Sequence, residues 1–195
     1  MPTFAVGRGQ ELLTIIYDHF PDVDIYLDGM ARKATDIYLR YPDYIKDAKE
    51  LHTAMHNAII VKRPGQRRKA MRGGSIIISP AGMLSGGNAL WYLNHLPMNS
   101  SVTITGFCAE GTNGWWLLNK GYIIQEGKEK RFNIKLDKVD LSAHAGREDL
   151  VKFIRRVNPE LVVAMHGDDC FRFADELRDS GLNAIAPSMG QTIPV

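Results

Sequence analysis

Short apolar runs alternate with amphipathic stretches along almost the whole chain. The runs fall at 25–27, 58–61, 75–79, 101–105, 161–165 and 183–186. Each is short, rich in isoleucine, valine or threonine, and bounded by polar or glycine-bearing turns, which is how buried strands read. The stretches between them carry apolar residues at helical spacing. That alternation builds an α/β fold with a mostly parallel sheet flanked by helices. Helices are expected at 10–19, 30–40, 47–57, 88–96, 115–119, 147–157 and 171–178. In the first, Leu12, Leu13, Ile15 and Ile16 share a face, and Phe20-Pro21 stops it. Two hairpin-like strands are expected at 122–126 and 132–139.

The length of 195 residues allows one domain, or one and part of another. With 45% hydrophobic and 24% charged residues, the composition excludes wholesale disorder, collagen-like repeats and a disulfide scaffold. The net charge of +2 sets up no global field for a polyanion. Cys108 and Cys170 lie far apart in no metal-type spacing, which fits a reducing compartment. No apolar run approaches the roughly 20 residues that span a bilayer. The opening residues lack the basic start and long apolar region of a signal peptide. A soluble, cytoplasmic protein with no membrane partner is expected.

In open α/β sheets, ligands bind at the carboxyl ends of strands. Three such ends carry chemistry: 79–87, 140–146 and 166–168. His166 closes the apolar run 161–165, where it reads either as a metal ligand or as a hydrogen-bonded core histidine. His144 and Ser142 sit just ahead of the helix expected at 147–157. There a histidine and a hydroxyl suit an anion or proton transfer, and Ser142 equally suits a helix cap. The loop 79–87 is glycine-rich but lacks the lysine of a P-loop, so it reads as a phosphate cradle or as a tight turn capped by Ser85. His52 and His56 share a helix face, but two ligands do not close a zinc site. Residues 62–72 hold Lys62, Arg63, Arg67, Arg68, Lys69 and Arg72 without one acid, which suits either a polyanion backbone or a solvated loop. Trp115, Trp116 and Met30 read as an RNA-facing platform or as core.

Six motifs in order resemble one family: Phe4-Ala5-Val6-Gly7-Arg8-Gly9-Gln10-Glu11-Leu12-Leu13, Asp28-Gly29-Met30-Ala31, Ser79-Pro80-Ala81-Gly82-Met83-Leu84-Ser85-Gly86-Gly87, Glu110-Gly111-Thr112, Asp140-Leu141-Ser142-Ala143-His144-Ala145-Gly146 and Val163-Ala164-Met165-His166-Gly167-Asp168. Their order and spacing are similar to β-CASP metallo-β-lactamase nucleases, above all the archaeal relatives of the cleavage and polyadenylation specificity factor nuclease, with ribonuclease J more distant.

The resemblance implies a β-CASP domain over residues 1–137, and over 138–195 the C-terminal returning segment of a metallo-β-lactamase αββα fold. It implies a zinc-dependent nuclease acting on RNA, in mRNA 3′-end processing or RNA decay, with two zinc ions in the complete enzyme. It places His144 at the motif facing the scissile phosphate, Ser142 on the phosphate, and His166 at a zinc ligand position. Asp168 would then sit behind His166 as its hydrogen-bond partner. Arg8, Arg32, Lys62, Arg63, Arg67 and Arg68 become candidate contacts to single-stranded RNA. The family's H-x-H-x-D-H motif is not found, and of the zinc ligands only His166 remains. The expectation is therefore part of a longer nuclease that alone binds no zinc stably and cuts no RNA. The alternative is a stand-alone, non-catalytic RNA-binding or assembly module. An unpaired strand and exposed apolar surface also imply a homo-oligomer.

Overall fold

A computed structural model of the chain describes residues 1–139, 141 and 144–193. The chain forms two compact units, Met1–Ala143 and His144–Val195.

The first unit opens with helix α1 (Arg8–His19) and strand β1 (Asp24–Leu27). Helices α2 (Met30–Tyr38) and α3 (Ala48–Asn57) follow, with a single 3-10 turn, Pro42–Tyr44, between them. Strand β1 is central in a three-stranded sheet. On one side it pairs with β2 (Ile59–Ile60) and on the other with β3 (Ser75–Ile78), both parallel. Tyr26 stands opposite Ile59 on one side and Ile77 on the other. Parallel strands need both faces covered, which explains why these runs are apolar throughout rather than alternating. Leu12, Leu13 and Ile16 of α1 supply one cover, packing with Ile25, Leu27, Ile78, Leu51 and Ala54.

A second core in the same unit gathers Leu84, Leu93, Val102, Ile104, Leu117 and Ile123. Its elements are α5 (Gly87–His95), β4 (Ser101–Ile104), α6 (Asn113–Lys120) and β5 (Tyr122–Gln125); β6 (Lys128–Arg131), exposed throughout, follows β5 and adds nothing to this core. Thr112 caps α6 by accepting from the Trp115 amide at 3.3 Å, and Gly121 ends it at φ 73°.

Two expectations need correction. The hairpin partner of β5 is β6, antiparallel, turned by Glu126 and Gly127 at φ 52° and 73°. Two positive φ values in a two-residue loop match the twist of a hairpin. The later strand, β7 (Lys135–Lys138), pairs in parallel with β4 instead. The basic stretch is also no loop: residues Pro64–Ala70 form helix α4, with Pro64 at its first position.

The second unit is smaller. It holds α7 (Arg147–Val157) and a β–α–β turn of β8 (Val162–Val163), α8 (Cys170–Asp179) and β9 (Ala184–Ile185), the two strands parallel. Ala164, Ala174, Leu177 and Ala184 form its core. The α7 helix has no buried residue; Phe153 is 63% exposed. Among the described residues no helix is long and apolar enough to cross a membrane.

Candidate functional site

In the first unit the chemistry gathers where β1 and β2 end. Asp28 follows β1 directly, and its side chain is almost fully buried. A buried carboxylate must be paired and hydrogen-bonded. Arg67 of α4 donates to it from Nε at 2.6 Å and Nη2 at 3.2 Å, a two-pronged pair. The Tyr92 hydroxyl of α5 donates at 3.0 Å, and the Gly29 amide at 2.6 Å. The hydrogen bond to Asp28 raises the Arg67 pKa still further. Burial, and then the Asp28 charge, push the Tyr92 phenol above its ordinary value. One carboxylate thus fixes a strand end, a basic helix and α5 together.

That clamp decides how the basic stretch is presented. Gln66 accepts from the amides of Lys62 at 2.8 Å and Arg63 at 3.0 Å, and donates to Ile60 O at 3.2 Å. Arg67 turns inward, while Lys62, Arg63, Arg68, Lys69 and Arg72 are exposed. Arg32 of α2 reaches the same edge, donating to Val61 O at 3.4 Å. Arg32, Lys62 and Arg63 therefore lie together just past the end of β2, a cationic edge, with Arg68 exposed on the adjoining α4 and Arg67 bound to Asp28. Arg8 lies elsewhere: it is 9% exposed and paired with Glu11.

The other motifs of this unit make the following contacts within it. Gln10 is buried and its amide donates to Thr35 Oγ1 at 2.9 Å and Ala31 O at 3.2 Å, tying α1 to α2. A Cβ on Gly9 would come within 3.2 Å of both Ala31 Cβ and Phe4 O. In the glycine-rich loop, Pro80 O and Met83 O accept from the amides of Ala89 and Gly114 at 2.9 Å and 2.7 Å. Ser85 does not cap α5; its hydroxyl donates to Met83 O. Trp115 packs into the second core, and Trp116 stacks on Tyr122, with the Arg131 guanidinium 5.4 Å from the Tyr122 ring centre. Met30 is 66% exposed. His52 and His56 lie on the exposed face of α3.

In the second unit His166 stands between β8 and α8, exposed, at φ 63°. A histidine in the left-handed region is held there against its own preference, at about 1 kcal/mol or more. The next amide, Gly167, donates to Cys170 Sγ at 3.2 Å, closing the turn. His166 borders an open groove of about 930 Å³ whose walls include Leu150, Phe153, Val163, Met165 and Phe173. His144 is exposed ahead of α7. Ser142 lies outside the described residues. Arg147 binds Glu176 across the unit, and that hydrogen bond holds the Glu176 carboxyl below the ordinary range.

A zinc centre needs three or four protein ligands. Among the described residues no group of three or more His, Cys, Asp or Glu is placed to hold an ion. His166 offers one nitrogen, so the described residues do not fit a zinc on their own.

Sequence reading quoted Asp28 only as part of a motif, with no partner, and gave Tyr92 no role. The available signal was an acid at the end of the apolar run 25–27, followed by glycine. The tyrosine, one of two aromatics in an amphipathic helix, carried none.

Comparison with known families places two descriptions on the chain in order. The Beta-Casp domain matches residues 9–117, and the Zn-dependent metallo-hydrolase RNA specificity domain matches residues 130–187. The probable RNase MJ4 of Methanocaldococcus jannaschii is 35% identical over 100% of this chain and 47% of its own length. RNase aCSPSF2 of Saccharolobus solfataricus is 32% identical over 99% of this chain and 40% of its own. The transcription termination factor FttA of M. jannaschii is 32% identical over 91% of this chain and 32% of its own. The chain thus spans less than half the length of these curated relatives. Within it, Arg32, Lys62, Arg63, Arg67 and Arg68 fall in the first match, and His144 and His166 in the second.

Proposed function

The chain belongs to the β-CASP family, and from that membership we propose that it is part of a zinc-dependent RNA-processing nuclease, one that hydrolyses phosphodiesters in mRNA 3′-end processing or RNA decay. The observation that carries the reading is the pair of domain matches, in order, over one chain. In this reading residues 1–137 are the β-CASP domain and 138–195 the segment that returns to the metallo-β-lactamase fold. The compact units divide a few residues later, after Ala143.

The cationic edge then holds the backbone of single-stranded RNA. Arg32, Lys62, Arg63 and Arg68 neutralise phosphates, while Arg67 serves through its bond to Asp28, keeping α4 in place. Arg8 sits at the entry of α1, paired with Glu11, as a further RNA contact. His144 positions a phosphate or protonates the leaving oxygen, and Ser142 binds that phosphate. His166 supplies one ligand of a two-zinc centre whose other ligands lie outside this chain. Such ions polarise the phosphoryl oxygen and generate hydroxide when bound. Because one imidazole does not hold a catalytic zinc, the 195 residues alone bind RNA and leave it intact. The test is a cleavage assay of labelled single-stranded RNA with the isolated chain and added zinc. No cutting is expected, and chelator-sensitive cutting would overturn the ligand account.

A second reading, a non-catalytic RNA-binding or assembly module, draws on the exposed apolar face of α7 and the groove beside it. That face also supports self-association, so a homo-oligomer by light scattering at micromolar concentration is expected, in a cytoplasmic setting. A monomer would count against it.

A further inference from the structure

The two neighbouring tryptophans of α6 do different things. Trp115 packs into the second core, whereas Trp116 lies outside that cluster. Trp116 stacks instead on Tyr122, the first residue of β5, with ring centres 5.7 Å apart and planes 15° from parallel. Trp115 meets it edge-on at 4.9 Å, so the Trp116 indole is braced by a core ring. Both Trp116 and Tyr122 are half-buried. Two rings held parallel and left partly in water offer a flat apolar surface that the core does not use.

Cations flank the pair. Lys120 lies one turn along α6 from Trp116, on the same helix face, and is exposed. Arg131 of β6 stands directly opposite Tyr122 in the hairpin, and its guanidinium carbon lies 5.4 Å from the centre of the phenol ring. Ile124 and Glu129 form the next pair on the same face of the hairpin. Glu129 meets Arg131 at 3.6 Å, with both side chains more than half exposed. A pair so solvated contributes little, so the guanidinium is held loosely over the ring. Between residues 120 and 138 six basic residues stand against three acidic ones, so the hairpin and its flanks are cationic.

We propose that Trp116, Tyr122 and Arg131 form a stacking site for one unpaired base of single-stranded RNA. The base takes the place of the guanidinium against the Tyr122 ring. Arg131, released, pairs with an adjoining phosphate, and Lys120 neutralises a second one. Rings beside cations are what a single strand requires: a π-face for any base and charge for its backbone. A duplex keeps its bases stacked on one another and offers the rings nothing, so the site selects unpaired RNA. Stacking reads no base identity, so it grips without sequence preference. Residues 62–72 contain no aromatic, and the cationic edge there engages phosphates alone; the hairpin supplies the base contact that edge lacks. The inference rests on the RNA reading above and is independent of the zinc chemistry.

The test measures binding of a labelled, mixed-sequence RNA octamer to the whole chain by anisotropy, beside an octamer of equal charge whose residues are all abasic. The abasic strand should bind about tenfold more weakly. Trp116→Leu should weaken the intact octamer by about the same factor and scarcely change the abasic one, while Trp116→Phe, which keeps a ring, should retain most of the affinity. Lys120→Ala should weaken both strands and lessen the salt slope by about 0.7. Glu129→Gln should tighten both, since it removes the acid beside Arg131. With 5-iodouridine in the octamer, irradiation should join the RNA to Trp116 or Tyr122, read by mass spectrometry of the tryptic peptides; this measurement decides if Trp116→Leu does not fold. Equal binding of intact and abasic strands, a folded Trp116→Leu chain that binds normally, or cross-links confined to other segments would overturn the stacking site and leave the cationic edge standing. So would an oligomer that Trp116→Leu dissociates, since the rings would then pack against a second copy. Failure of both octamers to bind would overturn it together with the RNA reading.

Discussion

Replacing Arg67 by alanine removes the main partner of a buried carboxylate. The side chain of Asp28 is 2% exposed and that of Arg67 27%. Breaking a buried pair from one side costs about 3–5 kcal/mol, because the remaining charge stays uncompensated. Two features pull the value down here. Arg67 is partly solvated, and Tyr92 and the Gly29 amide still donate to Asp28 after the change. A loss of about 3 kcal/mol is expected, roughly 150-fold in the folding equilibrium. A domain of this size has on the order of 5–15 kcal/mol in hand, so it should still fold. The assay is urea unfolding followed by tryptophan fluorescence. Trp91, Trp115 and Trp116 all lie in the first unit, so the signal reports that unit without the other. The midpoint should fall with the slope unchanged. Arg68→Ala, one residue along and exposed, is the control and should stay within about 0.5 kcal/mol. Tyr92→Phe should cost about 1.5–2 kcal/mol, the loss of one hydrogen bond to a charged acceptor. If Arg67→Ala matched Arg68→Ala, the Asp28 clamp would not be what holds α4 on the sheet.

The exposed cations behave differently. The combined change Lys62→Ala, Arg63→Ala and Arg68→Ala should weaken binding of labelled single-stranded RNA while leaving the fluorescence midpoint nearly unmoved. The slope of log affinity against log salt should lessen by about 0.7 for each phosphate that is no longer neutralised; an unchanged slope would remove these residues from the interface. His166→Gly should leave Tm unchanged or slightly higher, since glycine adopts φ 63° freely, whereas His166→Val should lower stability by about 1–2 kcal/mol. Equal effects would mean the backbone there is unstrained. Stability of the first unit should also rise with pH between about 5 and 8. The Met1 amine, lowered from 8.0 to about 5, is neutral in the folded chain across that window while the unfolded chain still holds its proton. The gain is at most about 4 kcal/mol, since each tenfold change in proton affinity is worth about 1.4 kcal/mol. Urea titrations at pH 5.5 and 8 measure it, and a flat profile refutes the burial.

The legible parts of the fold were those written in one period. The run 25–27 is apolar on both faces, and the structure buries it as a central parallel strand with Tyr26, Leu27 and Ile25 all inside. The helix at 147–157 was readable because Arg147 to Val157 repeats Leu150, Phe153, Ile154 and Val157 at three- and four-residue steps. What the period could not say is which strand lies beside which. The strand at 132–139 looked like a hairpin partner because it came next, yet Glu126 and Gly127 supply a two-residue turn that already selects Lys128–Arg131. A run of four charged residues, Lys128-Glu129-Lys130-Arg131, gives no strand signal of its own; its side chains are all exposed and the turn alone recruits it. The same limit hid the candidate site. Charge density revealed 62–72, but not that Arg67 faces inward, because its partner Asp28 lies 39 residues earlier and meets it only through the sheet.

The proposed RNA contact is compatible with a chain of net charge only +2 because of where the cations lie. Six of its 24 basic residues fall within 62–72, where no acid offsets them. Asp28 approaches from beneath and engages Arg67, the member of this stretch that turns inward, and among the described residues no acid forms an ion pair with the outward ones. At physiological salt a charge is felt over about 8 Å, so balancing charges elsewhere on the surface scarcely weaken this edge, and the edge scarcely draws in a distant strand. RNA bound as proposed would therefore be captured by close phosphate contacts rather than steered from afar. Its association rate should depend weakly on salt and its dissociation rate strongly. That division is the opposite of what a uniformly basic protein would give, and stopped-flow measurements at two ionic strengths separate them.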